Sequence, residues 1–327
     1  MRSSILVLVL FVCGCASLRA DDNVYPDAHM KIGGSTIDVQ FLRRAQDANM
    51  GASGDAADAP SRAELMRWIA RSATAVVTYY GKFPRPHLAL NVFVGGRRGV
   101  HHGVTWPWHG GTIRIGVGHG TTREDFEDDW ELTHEMVHLA FPSMSDDHHW
   151  IEEGISTYVE PVARAQAGQL SSDEVWKQFI RDMPKGQPEE GDRGLDNTHT
   201  WGRTYWGGAL FCLVADVRYR ELTHNQKGLQ DALRAILDHG DDITTDADIE
   251  KVLSQADRWV GMGVLDHLYN EMALYPDPID LNALWKKLGV SLQDGKVVYD
   301  ESAPEAKIRR AITAKRSFAH RTAKGGR

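Results

Sequence analysis

His134-Glu135-Met136-Val137-His138 is the stretch on which the fold turns. Positions four apart on a helix share a face, so both imidazoles can reach one tetrahedral ion while the glutamate between them meets a water molecule beside it. The pattern points to metal-assisted hydrolysis. Around it, the run Thr121 to Phe141 reads as a single helix. Thr121 and Glu124 are spaced as a capping box, and six acids from Glu124 to Glu131 suit the positive helix N-terminus. Pro142 should stop it. Phe126, Trp130, Val137 and Phe141 supply an apolar stripe at helical spacing, beside which His134 and His138 would stand. A surface helix carrying two ordinary histidines is the competing interpretation.

The next element decides between them. Trp150 to Glu160 is a second amphipathic segment, with Ile151, Ile155 and Tyr158 on one stripe and Glu153, Thr157 and Glu160 on the other. A carboxylate is therefore at hand as third ligand. Gly154 costs about 1 kcal/mol against alanine inside a helix, which a close approach to the first helix would justify. Between the two helices, Asp146, Asp147, His148 and His149 also belong to ligand-forming residue types, although loops hold such geometry less well than helices do.

At these residues the sequence resembles the gluzincin zinc peptidases, and within them the aminopeptidase N and glycyl aminopeptidase branches. The words that carry the likeness are His134 to His138, then Glu153-Gly154 with Tyr158-Val159-Glu160, then Tyr205 and Gly208 at the start of an apolar helix running through Val217. The resemblance implies an α+β, thermolysin-like fold, with a small sheet lobe followed by a mainly helical one. It further implies Zn²⁺ held by His134, His138 and Glu153, Glu135 as general base, Tyr205 as donor to the developing oxyanion, and a peptide or protein substrate. Glu152 stands where those families have another residue, and Gly207 replaces a basic one. His199 is the alternative to Tyr205, and a packed aromatic at a helix start is the plain alternative for Tyr205 itself.

One absence bears on specificity. From Leu65 through Arg123 there is neither Asp nor Glu, whereas aminopeptidases of this branch bind the substrate's amine through a glutamate upstream of the zinc helix. Arg97, Arg98 and Arg114 are available there to meet a carboxylate, and Glu152 is the remaining candidate anion. Endopeptidase activity is expected over aminopeptidase activity. A non-catalytic envelope protein that keeps the fold and its zinc is the alternative, against which the retained Glu135 speaks.

The rest of the chain fits around this centre. It has 327 residues, 42% of them hydrophobic, and a net charge of −8, which argues against nucleic acid as a partner. Residues 1–20 read as an export signal: Arg2, an apolar run from Ile5 to Val12, then Cys13-Gly14-Cys15-Ala16. Lipidation at Cys15, as in bacterial lipoproteins, would anchor the chain in the periplasm or outer membrane. Ordinary cleavage near Ala20 and secretion is the alternative. Cys212 is then a lone buried thiol. Residues 21–182 should hold the sheet and the zinc-binding helices, with Gln46 to Ser61 a linker, Arg62 to Tyr80 a helix, and strands at His87 to Val94 and Thr112 to Val117. Gly95 to Gly111, with His101, His102 and His109, reads as a loop. Residues 183–306 should form a helical lobe that begins with a polar loop, Met183 to Thr200. Residues 307–327 should be a solvated basic tail, with eight Lys or Arg and no acid.

Overall fold

The computed structural model describes residues 23–43 and 58–316. The export signal with Cys15, most of the Gln46 to Ser61 linker and residues 317–327 lie outside the described residues.

A five-stranded sheet comes first. β1 (Asn23–Ile32) and β2 (Ser35–Arg43) pair antiparallel, β3 (His87–Val94) and β5 (Thr112–Val117) run parallel to β2, and β4 (Val100–Trp106) closes the edge antiparallel to β5, in the order β1-β2-β3-β5-β4. The alternation of β2 up to Phe41 and of β3 turns Ile37, Val39, Leu88, Leu90 and Val92 to one face, and they share a buried core with Leu65, Trp68, Ile69 and Val76 of α1 (Arg62–Tyr80). Ser61 caps α1, its hydroxyl accepting from Glu64 N while the Glu64 carboxylate accepts from Ser61 N, and Gly81 closes the helix in the left-handed region. α1, β3 and β5 carry the boundaries expected from the sequence. The Gly95 to Gly111 stretch does not: it contains edge strand β4, whose alternation is broken by a bulge between His101 and Val104.

The expected single helix from Thr121 to Phe141 is two. α2 (Arg123–Asp128) is capped by Thr122 and Asp125, one residue after the predicted pair, and α3 (Glu131–His138) starts afresh. Asp129 makes the break. Its backbone is extended, and its carboxylate accepts from Glu131 N at 3.0 Å, Leu132 N at 3.3 Å and Trp68 Nε1 at 2.8 Å. A side chain that caps the following helix competes with continuation of the preceding one. As a result Trp130 leaves the expected apolar stripe and is 52% exposed, while Phe126, Val137 and Phe141 are buried.

α4 (His149–Gln166) follows, then α5 (Ser172–Asp182), a π-helical segment Gly202–Gly207 running straight into α6 (Gly208–Leu222), α7 (Leu229–Asp238), α8 (Ile249–Val260), α9 (Val264–Leu268) and α10 (Leu281–Leu288). A small hairpin, β6 (Val290–Gln293) and β7 (Lys296–Tyr299), interrupts the otherwise helical half and was not foreseen. Part of the stretch expected as a basic tail is a packed helix. α11 (Ala306–Thr313) buries Ile308 and Ile312, and the Arg309 guanidinium donates to the Leu288 carbonyl at 3.2 Å. Among the described residues, no helix is long and apolar enough to cross a membrane. Cys212 is buried and free, as expected, and burial raises its thiol pKa well above the usual range.

Candidate metal centre

α3 and α4 bring the predicted ligands together. His134 and His138 lie one turn apart on α3, and Glu153 on α4 faces them. His134 Nε2 is 3.0 Å from Glu153 Oε2, the two Nε2 atoms are 3.2 Å apart, and His138 Nε2 is 3.6 Å from Glu153 Oε2. Zinc bonds of about 2.0–2.2 Å in a tetrahedron set donor atoms about 3.3–3.6 Å apart, so this triangle has the size of one tetrahedral face. His134, His138 and Glu153 are the group among the described residues whose ligand atoms converge in this way. The donor set, two imidazoles and a carboxylate, is one that zinc accepts. The residues therefore fit the ion.

Burial favours a neutral Glu153 carboxyl, but hydrogen bonds from His134, His138 and His149 outweigh it and hold the group well below the usual carboxylate range. Burial pulls His138 down, yet the bond to Glu153 and the charges of Glu153, Glu135 and Glu152 leave it raised overall.

Glu135, between the two histidines on α3, meets the edge strand. Thr105 Oγ1 donates to Glu135 Oε2 at 2.5 Å, and Gly103 lies so close that a Cβ there would meet Glu135 Cγ at 2.7 Å. The β4 bulge and its glycine thus make room for the carboxylate. Glu131, one turn earlier, accepts from the Gly103 amide at 2.5 Å and ties α3 to β4. Neither Thr105 nor Glu131 was found from the sequence, because β4 was taken for a loop.

Beside His134 stands Tyr205. Its ring stacks over His134 at 6.4 Å and 21°, and burial followed by the charge and hydrogen bond of Glu153 pushes its phenol up to about 12, so it is a proton donor at neutral pH. Gly154 explains its placement, though not through the first helix as expected. The close neighbour is α6: a Cβ on Gly154 would lie 2.4 Å from Gly208 Cα, and one on Gly208 would lie 2.2 Å from the Trp150 carbonyl oxygen. This glycine-on-glycine crossing sets the Tyr205 turn against Glu153. Gly207, where related peptidases carry a basic residue, packs against Leu195 and the buried Arg203.

Other candidates fall elsewhere. His199 is exposed and bonded to the Asp196 carbonyl, His148 pairs with Asp196 at 3.0 Å, and Asp146 and Asp147 face solvent. His149 does approach the centre: its Nε2 is 3.2 Å from Glu153 Oε1 and its Nδ1 is 3.4 Å from Glu152 Oε2. Those two carboxylates push its pKa up to about 10. Arg98 is paired with Asp125 at 2.7 Å and Arg114 sits over Trp106, so both already have partners. Glu160 bonds Arg164 at 2.8 Å and is not a ligand.

Beside His134 and Tyr205 opens a cleft of about 790 Å³. Trp130 and Trp201 flank it, the latter stacked on Tyr205 at 5.8 Å, and Thr157, Glu160 and Arg164 line it too.

Comparison with known proteins places the fold. A protein of the aminopeptidase N family from Idiomarina loihiensis aligns over 82% of this chain and 50% of its own, with a TM-score of 0.60 and 12% sequence identity. An M1 zinc metallopeptidase from Deinococcus radiodurans aligns over 78% of this chain and 53% of its own, with a TM-score of 0.48 and 16% identity. The chain thus spans about half the length of these structures. It shares the α+β peptidase fold of the first, which bears out the expected fold class. No family model matches the sequence, and neither does any curated protein.

Proposed function

We propose that the chain is a zinc-dependent metallopeptidase. The observation that carries this is a zinc-sized triangle, His134, His138 and Glu153, with a carboxylate, Glu135, on the same helix as the two histidines and a phenol, Tyr205, stacked on His134. His134, His138 and Glu153 would hold the ion. Zinc supplies Lewis acidity, lowering the pKa of water toward ~7 and polarising a carbonyl.

The chain's own groups do the rest. Glu135, fixed by Thr105, accepts the proton of the attacking water and delivers it to the leaving amine. The Tyr205 hydroxyl donates to the carbonyl oxygen as negative charge builds there. The cleft beside His134 and Tyr205 gives a peptide room to lie next to the site. A purely structural zinc site has no use for a base beside its first ligand, which weighs against the non-catalytic alternative.

Endopeptidase action is part of the proposal. Binding a substrate's ammonium needs a free carboxylate near the ion. Two carboxylates on the ligand-bearing helices are engaged within the protein, Glu131 by the Gly103 amide and Glu152 by His149. We also propose export, with lipid attachment at Cys15 anchoring the chain in the bacterial envelope, on the strength of the Ile5 to Ala16 signal. Cys15→Ser should release the protein from membranes in a bacterial host, and a soluble mature protein beginning near Asp21 would refute it.

The test of function is digestion of a mixed peptide library by zinc-loaded protein. Cleavage that a chelator abolishes and zinc restores is expected. A zinc-loaded protein that cleaves nothing would overturn the proposal.

A further inference from the structure

Glu153 has two oxygens, and the structure gives them different partners. Oε2 faces His134 Nε2 at 3.0 Å and His138 Nε2 at 3.6 Å, whereas Oε1 is met by His149 Nε2 at 3.2 Å. His149 is the first residue of α4, one helical turn before Glu153, so the i, i+4 relation delivers its ring to the carboxylate's outer edge. Its other nitrogen is 3.4 Å from Glu152 Oε2. A carboxylate only accepts, so the imidazole nitrogen that faces Glu153 serves it as an N–H donor.

We infer that His149 is a positioning residue, which holds Glu153 Oε1 away from the ion so that the carboxylate ligates through Oε2 alone, with Glu152 orienting the imidazole. The inference rests on the metal-site proposal above. Its chemical consequence concerns coordination number. A carboxylate that turned both oxygens inward would fill two positions where a catalytic zinc offers one to its third ligand and keeps another open. Tyr205 also lies within electrostatic reach of Glu153, but its ring stacks on His134, on the π-helical segment before α6. His149 is exposed and makes no part of the core, so its contacts with the two carboxylates are not needed for packing. The arrangement also accounts for Glu152, the residue that departs from the related peptidases: it is the second anchor of the imidazole.

The test compares His149→Leu, His149→Gln and wild type as full chains stripped of metal. Zinc affinity is read by competition with a chromophoric chelator, and the visible spectrum after Co²⁺ substitution reads coordination number. Four-coordinate Co²⁺ absorbs strongly, and five-coordinate Co²⁺ weakly. His149→Leu should bind zinc about 10- to 100-fold more weakly, the usual cost of losing such an outer partner. Its Co²⁺ bands should weaken as the freed oxygen turns in. His149→Gln restores an N–H donor at the same helical spacing and should recover both. The inference is overturned if His149→Leu matches wild type in affinity and spectrum, or if Gln fails to differ from Leu. A wild-type chain that takes up neither Zn²⁺ nor Co²⁺ overturns the metal site itself, and this inference with it.

Discussion

Replacing Gly154 by alanine tests how the site is assembled. The new Cβ would lie 2.4 Å from both Gly208 Cα and C and 2.8 Å from Gly208 O, where ordinary contact begins near 3.4 Å. All three atoms are backbone, so no side chain can swing aside, and α4 and α6 must separate by about 1 Å. Overpacking of this kind costs about 1–3 kcal/mol, and alanine's better helix propensity returns about 1 kcal/mol. The net loss should therefore amount to at most about 2 kcal/mol in urea unfolding. Activity should suffer more. Glu153 adjoins Gly154 and Tyr205 precedes Gly208 by one turn, so separation pulls the phenol off the ligand, and a displacement of about 1 Å costs about 10²-fold in rate. The measurements are the urea midpoint and kcat on a cleaved peptide. An alanine variant as stable as wild type, with unchanged kcat, would refute the close crossing and the role assigned to it.

Further outcomes follow from individual side chains. Tyr205→Phe should keep zinc and lose about 10²- to 10³-fold in rate, since it deletes one donor to the oxyanion; an unchanged rate would return Tyr205 to packing and make His199→Ala the next variant. N-terminally blocked peptides should be cut at least as well as free ones, whereas activity confined to free amino termini and lost in Glu152→Gln or Glu131→Gln would refute the endopeptidase proposal. Burial pushes the Glu160 carboxyl up to about 7 although Arg164 pulls it down, so folded protein keeps a proton that the unfolded chain releases near 4.5. That contribution is full below the unfolded value and lost as pH rises through 7. Stability of Glu160→Gln relative to wild type should accordingly improve by up to about 3 kcal/mol from pH 5 to pH 8, and a difference flat with pH would contradict the burial argument.

The two histidines were legible in the sequence because they sit on one helix, where spacing fixes direction, and Glu153 was legible through the likeness of its surroundings to the gluzincin peptidases. α1, β3 and β5 were legible for a similar reason: their apolar residues recur at the period of the element, and Ser61 and Gly81 mark the ends of α1. Asp129 was not, because a carboxylate that caps the next helix looks like any other acid in an acidic run. β4 escaped because its bulge and Gly103 destroy the alternation that identifies strands. β2 did carry a usable signal, Ile37, Val39 and Phe41 alternating with polar residues. His149 was missed by a single residue. With α4 taken to begin at Trp150, the i, i+4 contact to Glu153 is invisible; with the true start at His149 it is required. Gly154 was recognised as needing a close neighbour, but sequence distance favoured the adjacent helix over α6, 54 residues further on.

Zinc content measured together with turnover, on one set of purified variants, tests the central claim most directly. One zinc per wild-type chain is expected, lost in His134→Ala, His138→Ala and Glu153→Ala, and retained in Glu135→Gln with turnover abolished, because Glu135 moves protons and ligates nothing. Full zinc occupancy in Glu153→Ala with loss in Glu152→Ala, or undiminished turnover in Glu135→Gln, would contradict it.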